Sequence, residues 1–102
     1  MRLSSIAATV ALIGLPAWAD SVDVAKVRDA IIAHGEIAVT EVLATRTTDD
    51  GTSTAYFRAQ KGGRVEAGTA TFVKMDDGRW FLTSARTVSG IPRSPFVAVD
   101  IE

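Results

Sequence analysis

The chain contains no cysteine and no asparagine, and its single histidine is His34. Without cysteine it can form neither a disulfide bond nor a thiolate zinc site. Without asparagine it has no Asn-x-Ser/Thr acceptor for glycosylation. Because no other motif for a cofactor or a metal ion is present, we expect a protein that works without cofactors, without metal and without disulfides.

An excess of positive charge is also missing. The chain has 11 Lys and Arg residues against 12 Asp and Glu residues, and its formal net charge is −1. Domains that bind nucleic acids carry a clustered basic surface, which this balance does not provide. We therefore expect no nucleic-acid partner. The strong preference for arginine over lysine, together with abundant alanine, is typical of a GC-rich bacterial genome.

Long apolar stretches are limited to one segment near the start of the chain. The uncharged run from Leu3 to Leu15 has 13 residues, whereas a membrane-spanning helix needs about 20. Arg2 precedes this run, and Ala17-Trp18-Ala19 follows it with small residues where a signal peptidase cleaves. The pattern predicts a secretory signal over residues 1–19, cleaved between Ala19 and Asp20. An uncleaved signal anchor is the alternative.

Cleavage would leave residues 20–102 as one small domain, periplasmic or secreted, with no membrane span. Without Arg2, ten Lys and Arg residues face twelve Asp and Glu residues, a formal charge of −2. A domain of this size buries little more than half of its unfolded surface. Since it has no disulfide to stabilise it, its stability depends on its apolar core or on association.

The first predicted element of this domain is a helix from Val22 to His34. Asp20 and Ser21 can cap its N-terminus, and Gly35 follows it as a C-terminal capping residue. At helical spacing, one arc of the helix collects Val24, Ala25, Val27, Ile31 and Ile32. Arg28 falls inside this apolar arc, where its aliphatic stem can cover the edge of a core.

The rest of the domain reads as strands separated by tight turns. The turn signals are Asp49-Asp50-Gly51, Gly62-Gly63 and Asp76-Asp77-Gly78. The strands predicted around them are Ile37–Arg46, Ser53–Gln60, Val65–Met75 and Trp80–Ala85, and Phe96–Ile101 forms a short last strand. The apolar stripe of the helix needs a sheet face to cover it. The sequence therefore predicts an α+β fold, one N-terminal helix packed on an antiparallel β-meander of four to five strands.

Two irregularities are expected within these strands. The apolar positions change side near Glu41, which indicates a β-bulge. Gly68 interrupts a strand, which marks a bend or a close backbone approach. Trp80 directly after a turn is interpreted as a core residue.

Catalytic motifs are scarce. Both Asp pairs precede a glycine in a turn, where aspartate bonds the local backbone, so we interpret them as turn residues. No Gly-x-Ser-x-Gly elbow surrounds any serine. His34 beside Gly35 is interpreted as a helix-end histidine. We assign no catalytic residue and no metal ligand, and we lean against an enzyme.

The candidate binding residues fall into two groups. Tyr56 and Arg58 lie on one side of their strand, and Arg79 and Arg86 can lie across the same sheet face. Such an aromatic–arginine surface suits a protein contact or an anionic ligand. An ordinary solvated sheet face with cross-strand pairs is the alternative. The second group is Arg28 and His34, the polar lining expected of a half-open pocket between the helix and the concave sheet face.

The stretch from Gly68 to Ser84, GTATFVKMDDGRWFLTS, resembles the closing hairpin of the cystatin-like/NTF2-like superfold. In that superfold a strand ends in a turn of the Asp-Gly-Arg/Lys-Trp type, here Asp77 to Trp80, and a last strand carries apolar residues inward. The resemblance implies one helix before an antiparallel sheet. Enzymatic NTF2-like proteins have more helices, which form a cone-shaped pocket. No catalytic residue of that group can be carried over to this chain, so the resemblance concerns the fold.

Taken together, these features predict an exported small binding or accessory protein of the bacterial cell envelope. Its partner would be another envelope protein or a second copy of itself. One alternative is a small ligand carrier, or an NTF2-like enzyme, with a pocket between helix and sheet. The other is an oligomeric structural protein that uses Phe96–Ile101 as an exchanged edge strand.

Overall fold

A computed structural model describes residues 22–102 of the chain. Its elements are α1 (Val24–Gly35), β1 (Ala38–Thr47), β2 (Thr52–Lys61), β3 (Arg64–Lys74), β4 (Trp80–Thr87) and β5 (Val97–Val99). The strands form one antiparallel sheet in the order β1-β2-β3-β4-β5. The predicted α+β fold with a five-stranded meander is confirmed. The predicted signal segment, its cleavage site and the proposed caps Asp20 and Ser21 lie outside the described residues.

Helix α1 begins later than the sequence pattern indicates, because Asp23 is its N-cap. The Asp23 carboxylate accepts hydrogen bonds from the backbone N–H groups of Ala25 at 2.9 Å and Lys26 at 3.2 Å. Val27 and Ile31 are buried against the sheet, whereas Val24 and Ile32 are exposed. The buried stripe is therefore narrower than the predicted arc. Within residues 22–102, no helix is long and apolar enough to cross a membrane.

The C-terminal end of α1 also differs from the prediction. Gly35 is the last helical residue, and Glu36 takes the left-handed conformation with φ 57°. Gly35 lies close to the sheet, since a Cβ atom there would be 3.2 Å from the Cβ of Ala85 on β4, a tight contact. The glycine thus lets the helix end approach the sheet closely.

Strand β1 contains the bulge expected near Glu41 and a second one beside it. The pairing register with β2 shifts between Val39 and Glu41, and again between Val42 and Ala44. As a result Val39 and Val42 both pack on the core, although simple alternation places them on opposite sides. The second bulge leaves Leu43 exposed.

The core lies between α1 and one face of the sheet. Its fully buried large side chains are Val27, Ile31, Phe57, Phe72, Leu82 and Ile101. Trp80 is buried, as predicted. Gly68 lies directly opposite Phe57 in the register of β2 and β3, and the Phe57 ring occupies the space that a side chain at position 68 would need. The close approach predicted at Gly68 is confirmed.

The residues that follow β5 connect the start of helix α1 to the β5 edge of the sheet. Strand β5 pairs with β4 of the same chain, and Ile101 is completely buried in the core. The backbone N–H of Asp23 donates to the Ile101 carbonyl at 2.6 Å. The Glu102 carboxylate accepts from the indole N–H of Trp80 at 2.7 Å and pairs with Lys74 at 3.0 Å.

The hydrogen bonds of the Glu102 and Glu66 carboxylates make the stability of the fold depend on pH in the acid range. Trp80 and Lys74 hold the pKa of Glu102 below its usual 4.5, and the Ser89 hydroxyl does the same for the pKa of Glu66. A carboxyl group with a lowered folded-state pKa contributes stability above its unfolded pKa and loses it as pH falls through the folded pKa. We expect the thermal unfolding midpoint to be level from pH 7 to about 5 and to fall at lower pH, with a smaller fall for Glu102→Gln. An identical acid response in the two proteins would contradict this role of Glu102.

Candidate functional site

The sheet has an outer face, opposite α1, that collects three of the predicted site residues. We define this outer face by Tyr56 and Arg58 of β2, Thr69 of β3, and Phe81 and Arg86 of β4. The pairing registers place Tyr56 opposite Thr69, and Thr69 opposite Arg86. Tyr56 and Arg86 therefore stand in one row across three strands. Because neighbouring strands are about 4.8 Å apart, the backbones at these two residues are about 10 Å apart.

A shallow groove of about 510 Å³ runs beside this row. Its lining includes Leu43, Tyr56, Thr69, Arg86 and Val88. Leu43 is 48%, Tyr56 41% and Val88 71% exposed. Contiguous apolar surface of this kind on a small domain marks an interaction site more often than scattered single residues do.

The three arginines predicted for this surface differ in how they are neutralised. Arg58 lies 3.4 Å from Glu41, and Arg79 lies 2.8 Å from Asp77. Arg86 has no acidic partner within ion-pair distance among residues 22–102. Its guanidinium group is therefore the one in this row that can receive a carboxylate from outside, as a bidentate partner.

The structure brings together only part of the predicted aromatic–arginine surface. Tyr56 and Arg86 come together, and Arg58 lies one row away, opposite Ala67. Arg79 is at the distant turn, where its guanidinium packs 5.3 Å from the centre of the Phe81 ring. It does not line the groove.

Leu43 and Val88 were missed. Leu43 reaches the outer face through the second bulge of β1. Val88 lies beyond the predicted end of its strand, yet its N–H donates to the Ala67 carbonyl at 3.0 Å. Val88 is an apolar residue between Thr87 and Ser89, and that mismatch was the available signal. Leu43 follows Val42 and precedes Ala44, so its neighbours gave no such signal.

Arg28 and His34, the second predicted group, do not line the same cavity. Val27 and Ile31 fill the space between α1 and the sheet, where the pocket was expected. Arg28 is exposed and pairs weakly with Asp29 at 3.8 Å. His34 lines a different cavity of about 770 Å³ at the C-terminal end of α1, which we call the end cavity. Arg28 does not line it.

The aspartate pairs act in turns, as predicted. The Asp50 carboxylate accepts from the Thr48 hydroxyl and from the Thr52 N–H at 3.1 Å, and these bonds lower the pKa of Asp50. The Asp77 carboxylate accepts from the Arg79 N–H at 3.0 Å, which likewise lowers the pKa of Asp77. In the part of the chain that the structure describes, no three His, Cys, Asp or Glu residues cluster as metal ligands would.

No family model, no curated protein and no solved structure matches this chain. The resemblance of the Gly68–Ser84 hairpin to the cystatin-like/NTF2-like superfold therefore stays a prediction. The function has to be argued from the geometry of the chain itself, because a fold alone does not determine an activity.

Proposed function

We propose that this protein is an exported binding protein of the bacterial cell envelope that acts without catalysis. It contacts another protein through the outer face of its sheet. The observation that carries the proposal is the row of Tyr56, Thr69 and Arg86, flanked by exposed Leu43 and Val88 on the face opposite α1. The signal pattern in residues 1–19 supports export.

The residue types of the outer face are those that contribute most to protein interfaces. Tyrosine and arginine are enriched among the residues whose truncation weakens binding most. Tyr56 offers an aromatic ring with a polar tip, and Arg86 offers a charge that no described residue neutralises. Both side chains stand on paired strands, so little backbone order is lost on binding.

The strand edges of the sheet are less suited to partners than its face. Edge strand β1 has two bulges, which disrupt a continuous ladder of free backbone groups. Edge strand β5 has only three residues. An exchanged β5 would also withdraw Ile101 from the core of its own chain. These features favour binding through the face over strand addition or strand exchange.

A pair of matched double variants tests this proposal. Tyr56→Ser with Arg86→Glu removes the aromatic ring and reverses the charge on the outer face. Ile32→Ser with Arg28→Glu makes the same kinds of change on exposed residues of α1. We expect the outer-face variant to recover at least tenfold less partner from envelope extracts than wild type does, because interface anchors each cost about 2 kcal/mol or more.

The helix variant should recover the partner at the wild-type level, and both variants should unfold near the wild-type temperature. Equal recovery by the two variants would contradict the proposal. So would a loss confined to the helix variant.

A further inference from the structure

The end cavity is a second concave site, which shares Thr87 with the groove of the outer face but none of the residues assigned to the protein partner. It lies where the C-terminal end of α1, the start of β1, the end of β2 and the loop 88–95 meet. Its volume of about 770 Å³ falls within the range of small-molecule sites, about 300 to 1,000 Å³. Because the cavity is open at the surface, a ligand could enter without a conformational change.

The walls of the end cavity combine an apolar part with polar and charged side chains. Ile37, Pro92 and Pro95 line it, and so does Ile91, which is 87% exposed. An isoleucine left almost entirely in water forgoes a gain of about 2 kcal/mol that burial would provide. A ligand with an apolar body would cover this side chain and recover that gain.

The charged groups of the end cavity favour a ligand with a negative charge. Glu36 is the acidic residue of the lining, and its carboxylate already pairs with Arg93 at 3.0 Å. Lys61 has no acidic group within ion-pair distance among residues 22–102. The position of its ammonium group, close to Gly90, is on the sheet side of the cavity. The C-terminal end of α1 lines the same cavity, and because its carbonyl groups repel anions, an anionic group is favoured at Lys61 and not at the helix end.

The wall formed by the loop 88–95 is held in place from two sides. Arg93 exchanges two backbone hydrogen bonds with Ala85, each 2.9 Å long. The Ser89 hydroxyl donates to the Glu66 carboxylate at 2.5 Å. Because the wall is already ordered before binding, less conformational entropy is lost when a ligand binds.

We infer that the end cavity binds a small anionic amphiphile, a carboxylate with an apolar chain. The carboxylate pairs with the Lys61 ammonium group, and the chain lies against Ile37, Ile91 and the two prolines. This site goes beyond the proposed function, because it uses neither the residues nor the face assigned to the protein partner.

Titration calorimetry with decanoate, below the concentration at which it forms micelles, tests this inference on the processed chain. We expect saturable binding to one site. Lys61→Ala should weaken it roughly tenfold, because a hydrogen bond to a charged group is lost. Arg46→Ala removes an exposed cation elsewhere and should bind as wild type does. Ile91→Ser should also weaken binding, whereas Val24→Ser, at another exposed apolar position, should not.

Decyltrimethylammonium and decanol provide the chemical controls, since they keep the chain and reverse or remove the charge. Both should bind at least tenfold more weakly than decanoate. The inference is overturned if decanoate shows no saturable binding, if Lys61→Ala binds like wild type, or if the cationic amphiphile binds equally well. The Tyr56→Ser, Arg86→Glu protein should still bind decanoate, so failure here is separable from failure of the outer-face proposal.

Discussion

Gly68→Ala is expected to destabilise the domain by about 3 kcal/mol, at the upper end of the cost of overpacking a core. A Cβ atom at this position would lie 2.4 and 2.5 Å from two atoms of the Phe57 ring and 2.6 Å from the Arg86 carbonyl oxygen. The ring is completely buried, and the carbonyl belongs to the paired strand β4. Neither can move away without disturbing the core or the sheet. Urea unfolding measures the change.

Thr69→Ala, at the next position of β3, is the control, because its side chain is on the outer face and should change stability by less than about 1 kcal/mol. Phe57→Leu in the Gly68→Ala background should restore part of the loss, because it removes the ring that clashes. Wild-type stability of Gly68→Ala would show that the strands are not packed as described here.

Ile101→Ala is expected to destabilise the domain by about 4 kcal/mol, within the range for truncating a fully buried isoleucine. The Ile101 side chain is completely buried, and its carbonyl accepts the hydrogen bond from Asp23 that joins it to the start of α1. The loss therefore creates a cavity and loosens the attachment of the helix. Urea unfolding again gives the free energy.

Ala98→Ser changes the exposed side of the same strand and should leave stability within about 0.5 kcal/mol of wild type. If β5 were exchanged between chains, the unfolding midpoint would rise with protein concentration. A midpoint independent of concentration is the expected result. A concentration-dependent midpoint, or an Ile101→Ala protein as stable as wild type, would contradict pairing within the chain.

The regular parts of the fold were accessible from sequence because their signals are local. Along β2, Ala55, Phe57 and Ala59 alternate with Tyr56 and Arg58, which were placed together on one side of the strand, and all three are in the core. Asp50-Gly51 predicted the first turn, where Gly51 has φ 86°. Because such patterns depend only on neighbouring residues, the sequence alone is enough to predict the local structure that they form.

The parts that escaped prediction depend on contacts between distant segments. Leu43 is exposed because of a bulge whose position the partner strand determines. Gly35 leaves room for Ala85, fifty residues later, whose Cβ would lie 3.2 Å from a Cβ at position 35. The end cavity needs the loop 88–95 to return beside α1, and the residues next to His34 and Lys61 in the sequence do not predict this position of the loop.

The central claim, that the outer face is where this protein meets its partner, is tested most directly by crosslinking in living cells. A photoreactive amino acid is placed at position 56, 69 or 86 on the outer face, and at position 28 or 32 on the exposed side of α1. We predict one discrete crosslinked protein of the cell envelope from the three outer-face positions and none from the two helix positions. The same product from positions 28 and 32, with none from 56, 69 and 86, would contradict the account.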